Sequence, residues 1–310
     1  MKSDTFIGNV PVLERLQDAV EHATLAHAYV FSGPSHVGKT TCALRLAAKI
    51  FATDRPEIHP DFLHVTQEAD PKTGASRERI AIEQIQEICR RLSQQAFCGT
   101  KLLLIEDADL MSHAAQNALL KTLEEPRGRA CIILTSSQPH KLLPTIHSRV
   151  HHVAFTRVSD DNLRLWLRER NISADKTERI VALADGCPGR AITCLENENA
   201  LLEREADYAL ANRVLQSRVA ERILAVHDMI PAYEVDHVKT RRLLGERVSV
   251  CEMVARRELL ALCRASASGH ETSLHTTSLA RAVRAFWNVR KALDAHLDPH
   301  LSLIQAVLSF

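Results

Sequence analysis

The stretch GPSHVGKTT, residues 33–41, sets Gly33, Gly38, Lys39 and Thr40 at G-x-x-x-x-G-K-[ST] spacing. A loop of this kind turns successive backbone N–H groups inward and opens a helix. Amides and helix N-terminus then form a nest for phosphate oxygens. Lys39 is expected to reach the β- and γ-phosphates, and Thr40 to ligate Mg²⁺. The candidate nucleotide-binding residues are therefore Gly33, Pro34, Ser35, His36, Val37, Gly38, Lys39, Thr40 and Thr41.

A second group lies downstream. Glu106 and Asp107 close the apolar run KLLLI. At the C-terminal end of a buried strand, one acid can hold Mg²⁺ through water and its neighbour can orient an attacking water. Glu106 and Thr40 are thus the metal candidates, with Asp107 as a catalytic one. The usual order in such sites is Asp then Glu. The reversed order lengthens the first side chain by one methylene and shortens the second. A displacement of roughly 1 Å can cost about a hundredfold in rate. Thr135, Ser136 and Ser137 end the next apolar run, and Ser136 is a candidate for contacting a γ-phosphate or the water.

These residues need strands that end at one edge of a sheet. AYVFSG (28–33) reads as a buried strand entering the loop, and TCALRLAAKIFA (41–52) as the helix leaving it. Further strands are expected at 59–65, 101–109, 130–138 and, after a turn, within 144–155. Helices are expected at 9–26 (with Val12, Leu16, Ala19, Val20 and Ala23 on one face), at 80–94 and at 112–125, the last capped by Ser112 and stopped by Pro126; 67–79 reads as a loop. Strands alternating with helices imply a parallel sheet covered on both faces. After Phe155 the strand signals stop. Residues 156–199 read as a small helical unit broken at DGCPGR (185–190), and 200–310 as all-helical, with breaks near Pro231 and at 266–273. Leu279, Val283, Phe286 and Trp287 form a stripe suited to a core or a subunit interface.

The net charge of +1 argues against a chain that grips nucleic acid alone through a strong basic face. DNA contact through Lys121 and the loop Gln138–Lys141 is a weaker option. The eight cysteines form no C-x-x-C pair, so no zinc ribbon is expected, and the thiols read as small buried residues of a reducing compartment. His147, His151 and His152 lack matching carboxylates or cysteines and read as surface or strand-edge residues. The N-terminal residues show no apolar signal region, and no window holds about 18 uninterrupted apolar residues. The expected location is the cytoplasm, with no membrane.

HAYVFSGPSHVGKTT (27–41), IEDADLMSHAAQNALLKTLEEP (105–126) and LLPTIHSR (142–149), in this order, resemble the bacterial clamp-loader branch of the AAA+ ATPases. LDAHLDPHLSLIQAVL (293–308) is similar to the closing helices of clamp-loader collar domains. The resemblance is strong over about 5–155 and looser over 156–310. Within the branch, the chain is most similar to delta-prime subunits of DNA polymerase III. FATDRPEIHPDF (51–62) stands where many relatives carry a four-cysteine zinc module, and Glu-Asp stands where gamma/tau subunits keep Asp-Glu.

The resemblance implies an α/β P-loop (RecA-like AAA+) domain at 1–155, a helical lid at 156–199 and an all-α collar at 200–310. It implies ATP and Mg²⁺ at the interfaces of a five-membered ring with gamma/tau and delta subunits, which places a sliding clamp on primed DNA. Ser148-Arg149 matches the S-R-C motif, with Val150 for Cys. Arg149 is then an arginine finger, catalytic in trans on the neighbour's nucleotide. In the lid, Gly189 occupies the place of a sensor arginine and Arg190 follows one residue later, a rotation of about 100° on a helix. Whether the chain hydrolyses ATP itself stays open. One alternative is a gamma/tau-like motor. Another is a P-loop metabolite kinase, against which the long helical region weighs.

Overall fold

In the computed structural model, residues 6–68, 79–125, 128–230, 237–266, 274–295 and 297–310 are described. Pro126 as a helix stop, most of the loop expected at 67–79, the break near Pro231 and all but Ser266 of the break at 266–273 lie outside them. The chain divides into two compact units, Met1–Thr193 and Cys194–Phe310.

The first unit is built on five parallel strands: β1 (Ala28–Ser32), β2 (Phe62–Val65), β3 (Lys101–Ile105), β4 (Ala130–Ser136) and β5 (His151–Ala154). Their order across the sheet is β2-β3-β4-β1-β5. Strand β1 is paired on both edges, Val30 opposite Leu134 of β4 and His152 of β5. Alternation along the strands divides the apolar side chains between two faces. One face carries Val30, Leu63, Leu103, Ile105, Ile132 and Leu134, packed with Ile85 and Ile88 of α3 (Ile82–Leu92) and Leu119 and Leu123 of α4 (His113–Glu124). The other carries Tyr29, Phe31, Leu102, Leu104 and Ile133, covered by Leu13 and Leu16 of α1 (Val10–Glu21) and Cys42, Ala43 and Leu46 of α2 (Lys39–Phe51).

Several elements are shorter than their apolar patterns. Helix α1 ends at Glu21 rather than near residue 26, because Ala23 turns left-handed at φ 54°. The strand expected over 101–109 stops at Ile105, since Asp107 adopts φ 46° and starts a 3-10 turn at Ala108–Leu110. The helix expected from residue 80 begins at Ile82, and Ile80 forms a strand-like bridge with Met111. The strand expected from residue 59 begins at Phe62, after a 3-10 turn at Pro56–Ile58. Helix α2 begins earlier than read, at Lys39. Ser112 does cap α4, its hydroxyl accepting the N–H of Ala115 at 3.1 Å.

Between β4 and β5 lies the single turn α5 (Pro144–His147). Three short helices complete the unit: α6 (Asp160–Arg168), α7 (Ala174–Ala184) and the start of α8 (Pro188–Glu196). The second unit is all-helical, with α9 (Glu198–Gln216), α10 (Val219–Met229), α11 (His237–Ser266), α12 (Leu274–Asp294) and α13 (Pro299–Val307). Its core includes Val214, Met229, Val248, Leu279, Phe286, Leu303 and Val307. Of the stripe on α12, Leu279 and Phe286 are buried and Val283 partly so, while Trp287 is exposed beneath the Lys291 ammonium. No described helix is long and apolar enough to cross a membrane.

Five cysteines are buried, but Cys98 and Cys263 are exposed, which corrects the reading of the thiols as uniformly buried. Burial pushes Cys42, Cys131 and Cys251 up to about 12.

Phe31 is fully buried in β1, and its ring lies 5.2 Å from that of Phe155. Phe31→Ala is expected to destabilise the first unit by about 3–5 kcal/mol. Urea unfolding followed in that unit checks this; a loss below about 1 kcal/mol would contradict the packing.

Candidate functional site

The Gly-rich loop leaves the C-terminal end of β1. The N–H of Gly33 bonds the carbonyl of Ser136 at 3.2 Å, so the loop starts level with the end of β4. Gly33 has φ 149°, and a Cβ there would lie 2.3 Å from the Phe155 carbonyl. Only glycine allows the chain to pass β5 that closely. His36 and Gly38 also have positive φ, 64° and 101°, and this curls the loop onto the first turn of α2. The Lys39 ammonium donates to the carbonyls of Gly33 (2.7 Å) and Pro34 (2.8 Å) and is almost fully buried. Burial lowers its pKa from the ordinary lysine value, while Asp107, Asp109 and Cys187 pull it back up.

Thr40 donates its hydroxyl to Glu106 Oε2 at 3.1 Å. The other oxygen of Glu106 accepts a hydrogen bond from His64 Nε2 at 2.7 Å. The Glu106 carboxyl is held below its ordinary 4.5, first by that hydrogen bond and further by the His64 charge and Thr40, with burial opposing. A hydroxyl and a carboxylate side by side are hard oxygen donors of the kind that Mg²⁺ prefers. Asp107 begins the left-handed turn, and its N–H bonds Thr135 Oγ1 at 3.1 Å. Ser136 is fully buried, and its hydroxyl accepts the N–H of Gln138 at 3.1 Å. Asp109 accepts the N–H of Ser137 at 3.2 Å.

The start of α8 lies directly on the loop. The N–H of Gly189 bonds the His36 carbonyl at 2.8 Å. A Cβ at Gly189 would meet that oxygen at 3.0 Å, so a long side chain there would have to push the loop aside. Beside the loop is a cavity of about 370 Å³ lined by Phe6, Ile7, Asn9, Val10, Leu165 and Trp166 among others. Phe6 also borders Gly38, with its ring edge 3.4 Å from where a Cβ would be.

Arg149 is elsewhere. It follows α5 and precedes β5, beside His27, the residue before β1. The loop is at the C-terminal edge of the sheet and Arg149 at the N-terminal edge. A five-residue strand such as β1 spans about 17 Å, beyond the reach of one side chain. Arg149, Ser148, His27, Leu123, Glu124, Val150 and His151 line an open cavity of about 670 Å³. Arg149 donates to the Thr145 carbonyl at 2.9 Å, to Ser148 Oγ at 3.0 Å and to Glu124 Oε1 at 2.5 Å.

The structure thus gathers Gly33–Thr41, Glu106, Asp107 and Ser136 at one edge and sets Arg149 apart. His64, Asp109 and Glu124 were missed from sequence. His64 carried a faint signal, a polar residue inside the apolar strand FLHV. Glu124 lay unread inside the run NALLKTLEEP. His151 and His152 are exposed on the edge strand β5, and His147 stacks on His152. Among the described residues, no three His, Cys, Asp or Glu side chains are grouped to hold a metal ion.

Residues 8–159 match the family described as DNA polymerase III, delta subunit. That stretch is just under half of the chain, and over it the chain is similar to subunits of DNA polymerase III. It is 32% identical over 183 residues to the delta-prime subunit of DNA polymerase III from Pseudomonas aeruginosa, covering 53% of this chain and 54% of that one. It is 27% identical to the tau subunit from Bacillus subtilis over 72% of this chain and 43% of the other. The chain thus spans about half the length of these curated relatives. The crystal structure of a gamma-subunit-related protein of DNA polymerase III from Thermotoga maritima superposes with a TM-score of 0.50 at 20% identity, covering 96% and 97% of the two chains. That likeness speaks for the fold alone: an α/β domain on a parallel sheet and an all-α region.

Because the Glu106 pKa is depressed in the folded state, its contribution to stability is present above about pH 4.5 and lost as pH falls through the lowered value. His64→Ala is expected to destabilise the first unit near pH 6 and to matter progressively less toward pH 3. Urea midpoints across that range test the sign. A deficit that grows toward pH 3 would show that His64 does not support the carboxylate.

Proposed function

We propose that the chain works as a delta-prime-type clamp-loader subunit. It would bind ATP in its own loop and supply Arg149 to the nucleotide of a neighbouring ATPase subunit. The observation that carries this reading is the placement of loop and arginine at opposite ends of β1. Neither can complete the other within one chain, but both can be used if subunits meet edge to edge. The partners would be gamma/tau and delta subunits in a five-membered ring, acting in the cytoplasm to place a sliding clamp on primed DNA. Residues 156–199 would serve as lid and 200–310 as collar.

ATP with Mg²⁺ fits the residues at the loop. The amides of 33–38 and the N-terminus of α2 would hold phosphate oxygens. Lys39 would exchange its two carbonyl acceptors for phosphate, and Thr40 and Glu106 would hold the metal. Mg²⁺ would neutralise charge on the β- and γ-phosphates. The cavity between residues 6–11 and α6 is the apolar space beside the loop that suits a base. Arg149 would add a cation at the neighbour's γ-phosphate, where charge develops during transfer.

Turnover by this chain itself is less well supported. The acids stand in the order Glu106-Asp107, Ser136 is buried and engaged, and Gly189 has no side chain to offer. A gamma/tau-like motor remains the second reading, favoured by the intact Lys39, Thr40 and Glu106 and the likeness to a tau subunit. Single-turnover hydrolysis by the purified chain, with and without primed DNA, separates the two.

Lys39→Ala is expected to abolish binding of a fluorescent ATP analogue to the isolated chain, while Arg149→Ala leaves it unchanged. In a loader reassembled with the other subunits, Arg149→Ala should lower ATPase by about tenfold or more with assembly intact. Unchanged ATPase would remove the finger role.

A further inference from the structure

Resting on the finger role, we propose that Glu124 is a placeholder for the phosphate that Arg149 is built to meet. A guanidinium has five N–H donors. Both donors of one terminal nitrogen are taken, by the Thr145 carbonyl and Ser148 Oγ. The other terminal nitrogen is taken by Glu124. The Nε–H is buried with no hydrogen-bond partner. The pairing with Glu124 is therefore end-on, through one nitrogen, and not the two-pronged grip that a guanidinium offers a carboxylate or a phosphate. An orphaned buried donor is unfavourable. A posture that turns Nε and the adjacent nitrogen together toward an anion in the cavity would satisfy both.

The backbone beneath Glu124 is held in place. His27 Nε2 donates to the Leu123 carbonyl at 3.1 Å, which pins the last turn of α4 where Glu124 stands. Glu124 is half exposed, and the Arg149 side chain is about one-third exposed. An ion pair open to water is held loosely. A γ-phosphate brings more negative charge than a carboxylate and more acceptor oxygens, so it can displace Glu124. Without a neighbour, the carboxylate neutralises the finger and keeps it folded on its own subunit. Glu124 is thus a positioning residue that sets how readily Arg149 leaves for the adjoining site.

The test uses the reassembled loader and the single-turnover rate of ATP hydrolysis. Glu124→Gln keeps the shape and removes the charge. It should raise the rate at saturating ATP two- to five-fold, about the weight of an exposed ion pair, and leave the apparent affinity for ATP unchanged. Glu124→Asp, which keeps the charge, should stay near the parent. Glu124→Gln added to Arg149→Ala should change nothing further. A fall or no change with Glu124→Gln, while Arg149→Ala still cuts the rate, would overturn the placeholder and leave the finger standing. No effect of Arg149→Ala would overturn the finger reading itself.

Discussion

Everything at the candidate site depends on strand β1. It is paired on both edges, covered on both faces, and its central residues Val30 and Phe31 are fully buried. The Gly-rich loop is its C-terminal continuation, and the Arg149 cavity opens at its start. A strand held this tightly acts as a fixed rod of about 17 Å between the two. Its length forbids an intramolecular encounter and permits one between subunits. The chemistry proposed for the protein is thus a consequence of sheet geometry before it is one of side chains.

At the loop end, the polar groups satisfy one another. Lys39 bonds carbonyls of its own loop, Thr40 bonds Glu106, and His64 bonds Glu106. Gly189 closes the loop from the side of α8. Entry of a nucleotide would therefore be an exchange of partners more than a filling of empty space, and affinity would reflect the difference between the two sets. At the other end, Arg149 bonds Thr145, Ser148 and Glu124 but keeps its Nε–H without a partner.

Much of this was legible in the sequence. Strand, loop and helix could be placed because the apolar run AYVF, the two glycines and Lys39-Thr40 each demand one local geometry. Four of the five strands were read because each is a short, largely apolar run bounded by turn residues; β5, HHVA, was read only as the last strand after a turn. Boundaries were less legible. Asp107 and Ala23 adopt left-handed conformations that residue type alone does not announce, so the runs around them looked longer than the elements they form. The partners of the site residues were least legible. His64 meets Glu106 because β2 lies beside β3, and Glu124 meets Arg149 because the end of α4 packs near the start of β5. Neither contact leaves a trace in spacing along the chain.

The cysteines have a practical corollary. Cys98 belongs to the first compact unit and Cys263 to the second, and both thiols are open to solvent. Three of the others are driven so far toward the protonated form that an alkylating dye would find little thiolate to attack. The chain therefore already carries an exposed handle in each unit, and replacing the half-buried Cys89 would leave a clean pair for a spectroscopic ruler between its two halves.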